Sequence, residues 1–363
     1  MHVVTFGEVM LRMAPEEFLR IPQVVPGRLE VTFGGGEVNV AVSIARQGGR
    51  ASFLTTLPDN PLTDAFEAEL RKFNVGTQLI RRSDRGRFGV YYVETGANQR
   101  AGTVIYDRDD SAVSLAGPDA YDWEAAFSGA GWFHITGITP AISEPAAAAG
   151  LAAVEQAKRR GLTVSCDLNF RKKLWNWKPG TGTTELARET MEQLMPHVDV
   201  VIANEEDAEK TLGIRAEETD VEAGRINLAA YDGVARRIVE RFPNVSRVAI
   251  TLRESLSASH NNWGAMLFDA AQDRSFAAPL DGDGEYRPYE IRNIVDRVGA
   301  GDSFAGALIF ALSGEAEEDP EAALRYAVAA SCLKHSIKGD FNYATRAEIE
   351  ALVGGSGSGR VQR

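Results

Sequence analysis

A stretch of small residues near the end of the chain, VGAGDS at 298–303, has the composition of a phosphate-binding loop. The residues before it, EIRNIVD at 290–296, predict a strand, and Phe304 and Leu308 then fall on one face of a helix that we expect to begin at about Asp302. Small residues at the start of a helix leave backbone N–H groups accessible, and the helix dipole favours negative charge beside them. The stretch therefore predicts an anion site.

Two common phosphate motifs do not fit this stretch. The dinucleotide fingerprint G-x-G-x-x-G is matched by Gly299 and Gly301, but Phe304 stands at the third glycine and no strand–helix unit follows to supply a ribose carboxylate. The P-loop spacing is matched by Gly301 and Gly306, but residues 307–308 are alanine and leucine instead of lysine and a hydroxyl residue. Without that lysine the loop has no cation for a transferring phosphate.

A third interpretation uses the residues that are present. The backbone N–H groups of Gly299, Ala300 and Gly301 would bind an anion, and Asp302 would lie beside it in the first helical turn. An aspartate here can also be an ordinary helix cap, but a cap does not require small residues on the strand side, so we favour a catalytic carboxylate. A carboxylate beside an anion hole suits phosphoryl transfer to a hydroxyl group, with Mg²⁺ bridging the nucleotide phosphates.

The charge balance limits the class of partner. The 363 residues include 51 acidic and 39 basic side chains, a formal charge of −12. This excess argues against nucleic acid or an anionic membrane as a partner, because both need a basic face. The two cysteines, Cys166 and Cys332, lack metal-site spacing and are expected to be reduced thiols. The N-terminus leads directly into a strand without a targeting pattern, so we expect a cytoplasmic protein.

Short apolar runs alternate with longer helical patterns along most of the chain. The predicted strands are Val3–Phe6, Ala51–Leu57, Gly131–Ile135, Thr163–Asp167, Val198–Ile202 and Arg247–Leu252. The predicted helices are Glu37–Gln47, Asp64–Phe73, Glu144–Arg160, Glu185–Leu194, Glu205–Leu212, Tyr231–Phe242, Pro320–His335 and Thr345–Leu352. Strands separated by helices require right-handed crossovers, so we predict an α/β fold with a mostly parallel central sheet covered on both faces.

Two regions, residues 9–33 and 86–116, break this alternation. Their apolar and polar residues partly alternate, as antiparallel strands with one solvated face do. Ligands of open α/β sheets lie at the carboxyl ends of the strands, so we predict that the two regions form a small β-sheet lid, whose exposed face would favour a homo-oligomer. We predict a single domain over 1–353, a surface excursion at Arg215–Asn227, and a disordered tail at 354–363.

Two longer stretches resemble signatures of the ribokinase-like (PfkB) carbohydrate kinases: GGGEVNVAVSIARQG at 34–48 and DRVGAGDSFAGAL at 296–308. The similarity extends from residue 1 to about 352. It implies a ribokinase-like three-layer αβα fold, ATP as a substrate and Mg²⁺ as a cofactor. It also implies a catalytic base at Asp302, an anion hole at Gly299, Ala300 and Gly301, and sugar contacts at Gly34, Gly35 and Asn39. Arg297 stands where that family usually has threonine.

Within the family, three stretches are most similar to kinases of the sugar acid 2-keto-3-deoxygluconate: YDRDDSA at 106–112, DLNFRKKLW at 167–175 and KHSIKGD at 334–340. This likeness implies that Tyr91, Tyr106, Arg108 and Arg171 hold the acid substrate. The chemistry agrees, because arginine presents parallel donors that match a carboxylate. Arg171 also follows an apolar strand, at a carboxyl end where ligands bind.

On the nucleotide side the resemblance implies a further set of contacts. NEED at 204–207 is similar to the family's N-x-x-E motif, which organises magnesium and phosphates, with Asp207 in place of the usual glutamate. The implied nucleotide contacts are Asn204, Thr251, Gly264 and His335, and the implied metal-side residue is Asp207. Arg253 departs from the family's glycine-rich pattern after the strand that contains Thr251.

The leading hypothesis is therefore ATP-dependent phosphorylation of 2-keto-3-deoxygluconate at its terminal hydroxyl group. A kinase for fructose or another neutral sugar is an alternative of the same class. A sugar-acid-binding regulatory protein that has lost catalysis is an alternative from another class. A nicotinamide-dependent oxidoreductase is disfavoured by Phe304.

Overall fold

The computed structural model describes residues 1–204, 206–215, 228–314 and 318–355. In chain order its strands are β1 (His2–Phe6), β2 (Met10–Ala14), β3 (Glu30–Gly34), β4 (Arg50–Pro58), β5 (Ile80–Ser83), β6 (Gly89–Glu94), β7 (Thr103–Asp107), β8 (Trp132–Thr136), β9 (Thr163–Asp167), β10 (Val200–Ala203), β11 (Arg247–Ser257), β12 (His260–Asp269), β13 (Arg274–Ala278) and β14 (Tyr289–Arg292). Its helices are α1 (Ile21–Val24), α2 (Gly36–Arg46), α3 (Pro61–Lys72), α4 (Trp123–Phe127), α5 (Ile138–Ala141), α6 (Glu144–Arg159), α7 (Thr183–Leu194), α8 (Asp207–Leu212), α9 (Leu228–Arg241), α10 (Ala300–Leu312), α11 (Pro320–Lys334) and α12 (Arg346–Val353). Each predicted strand and helix overlaps one of these elements.

The main sheet is mostly parallel, as predicted. Its order is β13-β12-β11-β10-β9-β8-β1-β4-β5, and β14 pairs with β12 beside this path. The strands from β11 to β5 all run parallel, whereas β12, β13 and β14 add antiparallel pairs at one side. The carboxyl ends of the parallel strands therefore share one edge, where α/β sheets bind ligands.

Two apolar clusters cover the two faces of this sheet and make the fold three-layered. Neighbouring strand residues alternate between them: Val3 packs with α2, α10 and α11 on one face, and Val4 packs with α6, α7 and α9 on the other. Phe53 and Leu54 of β4 likewise pack on opposite faces of the sheet. This alternation follows from the two-residue period of a strand, and it explains why the strands are apolar on both faces.

The lid is a separate sheet with the order β3-β2-β6-β7. Its outer pairs are antiparallel, but its central strands β2 and β6 run parallel, with Met10 opposite Gly89. The strands within each of the two predicted regions are antiparallel, as predicted, and the parallel pair is the one that joins the two regions. The reason is topological: β2 directly follows β1 and β6 follows β5, so both strands leave the main sheet from the same edge and in the same direction.

Two predicted boundaries around the small-residue stretch need correction. The strand predicted over 290–296 ends at Arg292, because Asn293 takes a left-handed conformation with φ 57°. Helix α10 begins at Ala300 and not at Asp302, because Gly299, with φ 80°, turns the chain into the helix. A Cβ atom on Gly299 would lie 2.2 Å from the carbonyl oxygen of Asp340, so this position requires glycine.

Some predictions lie partly outside the described residues: Glu205 at the start of a predicted helix, positions 216–227 of the predicted surface excursion, and positions 356–363 of the predicted tail. The single domain over 1–353 stays a prediction.

A pair of glycine substitutions tests this turn. Gly299→Ala should lower the free energy of unfolding by at least about 1–2 kcal/mol, the cost of a left-handed alanine, before the contact with the Asp340 carbonyl is added. Gly301→Ala is the matched control, because a Cβ there meets no atom within 4 Å and should cost no stability. Urea unfolding measures both variants. Equal midpoints would contradict the proposed role of Gly299 in the turn.

Candidate active site

A cleft of about 350 Å³ lies between the carboxyl edge of the main sheet and the lid. The strand ends of β9, β10 and β11 form one wall, and the first turns of α2 and α10 form its floor. Strands β6 and β7 of the lid contribute Tyr91 and Tyr106. The polar side chains of the cleft therefore come from segments far apart in sequence, and the sheet topology brings them together.

Most of the predicted site residues line this cleft. They are Gly35, Asn39, Tyr91, Tyr106, Arg108, Arg171, Asn204, Asp207, Thr251, Gly299, Ala300, Gly301, Asp302 and His335. Gly34 and Gly264 do not line it, and their ligand contacts stay predictions. A Cβ on Gly34 would lie 2.2 Å from Asp340 Oδ2, and one on Gly264 would lie 2.3 Å from the Tyr286 hydroxyl. Both glycines are needed where chain segments pack closely.

The first turn of α10 presents free amides to the cleft. Within the described residues, the backbone N–H groups of Gly299, Gly301 and Asp302 have no hydrogen-bond acceptor. The N–H group of Ala300 instead points back to the carbonyl of Arg297, at 3.4 Å. The anion hole predicted at 299–301 is thus shifted by the early start of the helix, with Ala300 the least available of its donors.

Asp302 lies on the floor of the cleft, where its Oδ2 accepts a 2.6 Å hydrogen bond from Asn39 Nδ2. The pKa of Asp302 is raised to about 6, chiefly by burial and also by nearby Asp340, against the lowering effects of Asn39, Arg171 and Lys334. The carboxylate is therefore mainly ionised at pH 7 but remains basic enough to take a proton, as a general base requires.

Asp340 connects Asp302 to the lid. Its carboxylate accepts hydrogen bonds from Arg12 Nη1 at 2.8 Å, from the Tyr91 hydroxyl at 2.5 Å and from Asn39 Nδ2 at 3.3 Å. Arg12 also donates to Asp296 at 2.5 Å. Because the Tyr91 hydroxyl already donates to Asp340, it is left only as an acceptor for a ligand.

The sequence analysis missed Arg12, Asp296 and Asp340, although two of them fall inside quoted motifs. Asp296 is the first residue of DRVGAGDSFAGAL, and Asp340 ends KHSIKGD. Arg12 had its own signal, since a charged residue within the apolar strand MLRMA needs a buried partner.

The two arginines predicted to hold the acid differ in their surroundings. Arg171 is exposed at the end of the β9 loop, and no carboxylate or carbonyl of the described residues accepts from its guanidinium group. Arg108 is buried and forms an ion pair with Glu8, a partner that the sequence analysis did not identify. Arg108 Nε and Glu8 Oε1 have no hydrogen-bond partner among the described residues. Of these two arginines Arg171 is thus the one without a paired carboxylate, and the Arg108–Glu8 pair offers one donor and one acceptor.

Asn204 and Asp207 organise the turn between β10 and α8. Asn204 Oδ1 accepts from the amide of Asp207, whose two carboxylate oxygens accept from the amides of Asn204 and Phe170. Burial raises the pKa values of Asp207 and of the neighbouring Asp167. Among the described residues no three His, Cys, Asp or Glu side chains form a metal-binding group. This donor set fits a Mg²⁺ ion held mainly by nucleotide phosphates and water, with these carboxylates beside it.

At the nucleotide end, His335 is buried against the Trp263 ring, with centroids 5.1 Å apart. Its Nδ1 lies 2.8 Å from the Ser331 carbonyl, and burial lowers the pKa of His335 to about 4. His335 is therefore neutral at pH 7. Trp263 and Asn261 line the same cleft, and their buried Nε1 and Nδ2 donors have no acceptor among the described residues.

The profile of the pfkB family carbohydrate kinases matches residues 1–236 and 267–343. The chain belongs to this family. It is therefore a kinase, a phosphotransferase with an alcohol group as acceptor, and its ribokinase-like fold is confirmed.

Three relatives illustrate the range of this similarity. A 2-dehydro-3-deoxygalactonokinase of Haloferax volcanii is 33% identical over 357 residues, covering 98% of both chains. The crystal structure of a 2-dehydro-3-deoxygluconokinase from Thermotoga maritima has a TM-score of 0.86 and 45% identity, covering 98% of this chain and 99% of that one. Probable fructokinase-2 of Arabidopsis thaliana is 28% identical over 342 residues, covering 93% of this chain and 91% of that protein. Within the described residues of this PfkB kinase, no helix is long and apolar enough to cross a membrane.

The pKa of Asp302 predicts the pH dependence of turnover. Protonation removes the proposed base, so kcat/KM should fall below about pH 6 and level off above it. Asn39→Ala removes a hydrogen bond that lowers this pKa, so the acidic limb should move to higher pH. Steady-state kinetics between pH 5 and 8 measure the acidic limb of kcat/KM in the unmutated protein and in the Asn39→Ala variant.

Asp302→Asn is the control for this assignment. It should lower kcat by about 10²-fold or more while ADP binding is retained. If kcat/KM falls at the same pH in the Asn39→Ala variant as in the unmutated protein, the assignment of this pKa to Asp302 is contradicted.

Proposed function

We propose that this PfkB kinase phosphorylates the terminal hydroxyl group of 2-keto-3-deoxygluconate with ATP. The observation that carries the proposal is the pairing, within one cleft, of two features. One is the carboxylate of Asp302 beside the free amides of α10. The other is the guanidinium group of Arg171, which has no protein partner among the described residues. The names of the Haloferax and Thermotoga relatives support a keto-deoxy acid as substrate.

In this proposal Asp302 accepts the proton of the attacking hydroxyl group. The amides of Gly299 and Gly301 donate to the transferring phosphoryl group and stabilise the charge that develops on its oxygens. When bound, Mg²⁺ neutralises part of the negative charge of ATP, with Asn204, Asp207 and Thr251 beside the nucleotide. The lid strands cover the sugar acid and exclude water that would otherwise compete as an acceptor.

Arg171 would bind the carboxylate of the acid, with Tyr106 and the Arg108–Glu8 pair contacting its other polar groups. Glu8 can accept from a sugar hydroxyl group but would repel a carboxylate, so the acid group is expected on the Arg171 side. The galactonate epimer differs by one inverted hydroxyl group and remains a close alternative, and fructose remains the neutral one.

An ADP-release assay over keto-deoxy acids and neutral hexoses tests the substrate. Arg171→Ala should lower kcat/KM for the acid about 10- to 100-fold, because a hydrogen bond to a charged group contributes about 1.5–3 kcal/mol, and should change that for fructose little. Lys172→Ala is the matched control, since Lys172 is the next exposed cation and does not line the cleft.

Preference of the unmutated protein for fructose would overturn the substrate assignment. Turnover that is undetectable across the whole panel would favour the alternative of a sugar-acid-binding regulatory protein.

A second copy of this chain is the proposed macromolecular partner. The lid and its flanking segment expose large apolar side chains: Phe18, Leu19, Val25, Val31 and Ile105. An apolar patch on one sheet face is typical of a subunit interface. Light scattering should give a dimer or larger oligomer, and Ile105→Lys should shift it toward the monomer. Lys substitution of exposed Leu256, outside the lid, is the control; a monomeric unmutated protein would contradict the proposal.

A further inference from the structure

Arg297, the residue that departs from the family pattern, makes a specific set of contacts. Its Nη2 donates to the carbonyl oxygens of Ser257 and Ala258, at 3.1 and 2.8 Å, and lies 3.5 Å from Asn261 Oδ1. These acceptors belong to residues 257–261, which we call the tip turn because they join the ends of β11 and β12. Among the described residues no carboxylate forms an ion pair with Arg297.

The other side of the tip turn contacts the lid. The N–H group of Ala258 donates to the carbonyl of Asn98 at 2.7 Å, and the N–H group of Asn98 donates to Ser259 Oγ at 2.9 Å. Asn98 lies in the connection between lid strands β6 and β7. The packing is close, since a Cβ on Gly96 would lie 2.9 Å from the Ala258 methyl group. The tip turn is thus held between the lid and Arg297.

Arg297 also directly precedes the phosphate-binding turn. Gly299, two residues later, has the left-handed conformation that directs the amides of α10 into the cleft. The neighbouring Asp296 is bound by Arg12 from lid strand β2. The segment that enters the turn is therefore connected to the lid at two points: through Arg12 and Asp296, and through Arg297 and the tip turn.

We propose that Arg297 is a positioning residue that couples the lid to the phosphate-binding turn, so that the sugar and the nucleotide each bind more tightly when the other is present. This proposal rests on the proposed function only in that both ligands share the cleft. When the sugar holds the lid in place, the lid holds the tip turn, and Arg297 then fixes the position of Gly299. Coupling between two binding equilibria is reciprocal, so bound nucleotide must favour the same lid position.

Calorimetry of ADP binding, with and without a saturating sugar substrate, measures this coupling. In the unmutated protein the sugar should tighten ADP binding by about 5-fold or more, in the range typical of coupled sites. Arg297→Met should lower that ratio while the Kd of the sugar alone stays the same, and the contact between Arg12 and Asp296 carries the coupling that remains. A merely structural role would lower the Tm or weaken both ligands without changing the ratio.

Two further variants sharpen the test. Ser259→Ala removes the acceptor of the Asn98 amide, and should lower the ratio in the same direction; combined with Arg297→Met it should cause no additional loss, since both act through one contact path. Arg253→Met is the matched control, because Arg253 is a cation of the same cleft wall without a contact to the tip turn among the described residues. It should change ADP affinity equally with and without sugar.

A ratio near one in the unmutated protein, or an unchanged ratio in Arg297→Met, would overturn the proposal. The sugar in this experiment is whichever compound the substrate panel identifies. Failure of 2-keto-3-deoxygluconate as a substrate therefore overturns the proposed function alone, and the coupling is still measured with the true sugar.

Discussion

The guanidinium group of Arg12 is buried between Asp296 and Asp340, and the geometry of the cleft depends on this ion network. Burying charges costs free energy that only good geometry and full hydrogen bonding offset, and loss of one partner typically costs about 3–5 kcal/mol. Such a network tolerates few alternative positions. It therefore fixes the lid strand that contains Arg12 relative to the two acidic segments, and Asp340 extends the constraint to Asn39 and the proposed base.

A second constraint comes from helices α2 and α10, which pack against each other at the floor of the cleft. A Cβ on Gly306 of α10 would lie 2.7 Å from the Ser43 Cβ on α2, so the two helix backbones approach closely. This approach sets the 2.6 Å contact between Asn39 and Asp302 at the cleft end of the pair. The first turns of both helices line the cleft, where α2 follows lid strand β3 and α10 follows the turn at Gly299.

Local patterns made the main fold predictable, because every buried parallel strand is apolar on both faces and is separated from the next by a helix. The lid was less predictable: its partly alternating strands indicate a sheet with one solvated face, but only the chain path through the main sheet makes β2 and β6 parallel. The start of α10 was misplaced by two residues because the left-handed glycine that begins it has no periodic signal.

The candidate site was likewise predictable only where local sequence patterns carried the information. Motif resemblance indicated most of the residues that line the cleft, but not Gly34 and Gly264, which lie where chain segments pack closely. It did not identify their partners. The Arg108–Glu8 pair joins residues a hundred positions apart, and nothing in the local pattern of either residue indicates the other. Long-range ion pairs of this kind depend on the assembled topology.

That same ion pair has a consequence for charge matching. Glu8 compensates Arg108, so Arg171 is the one of the two arginines in the proposed acid site whose charge no carboxylate of the described residues pairs with. An acid with one carboxylate matches this balance. An acid with carboxylates at both ends would bring a second negative charge next to Glu8 and would have to leave it unpaired in a partly desolvated pocket. In the proposed function, Glu8 therefore favours acids with one carboxylate over acids with two.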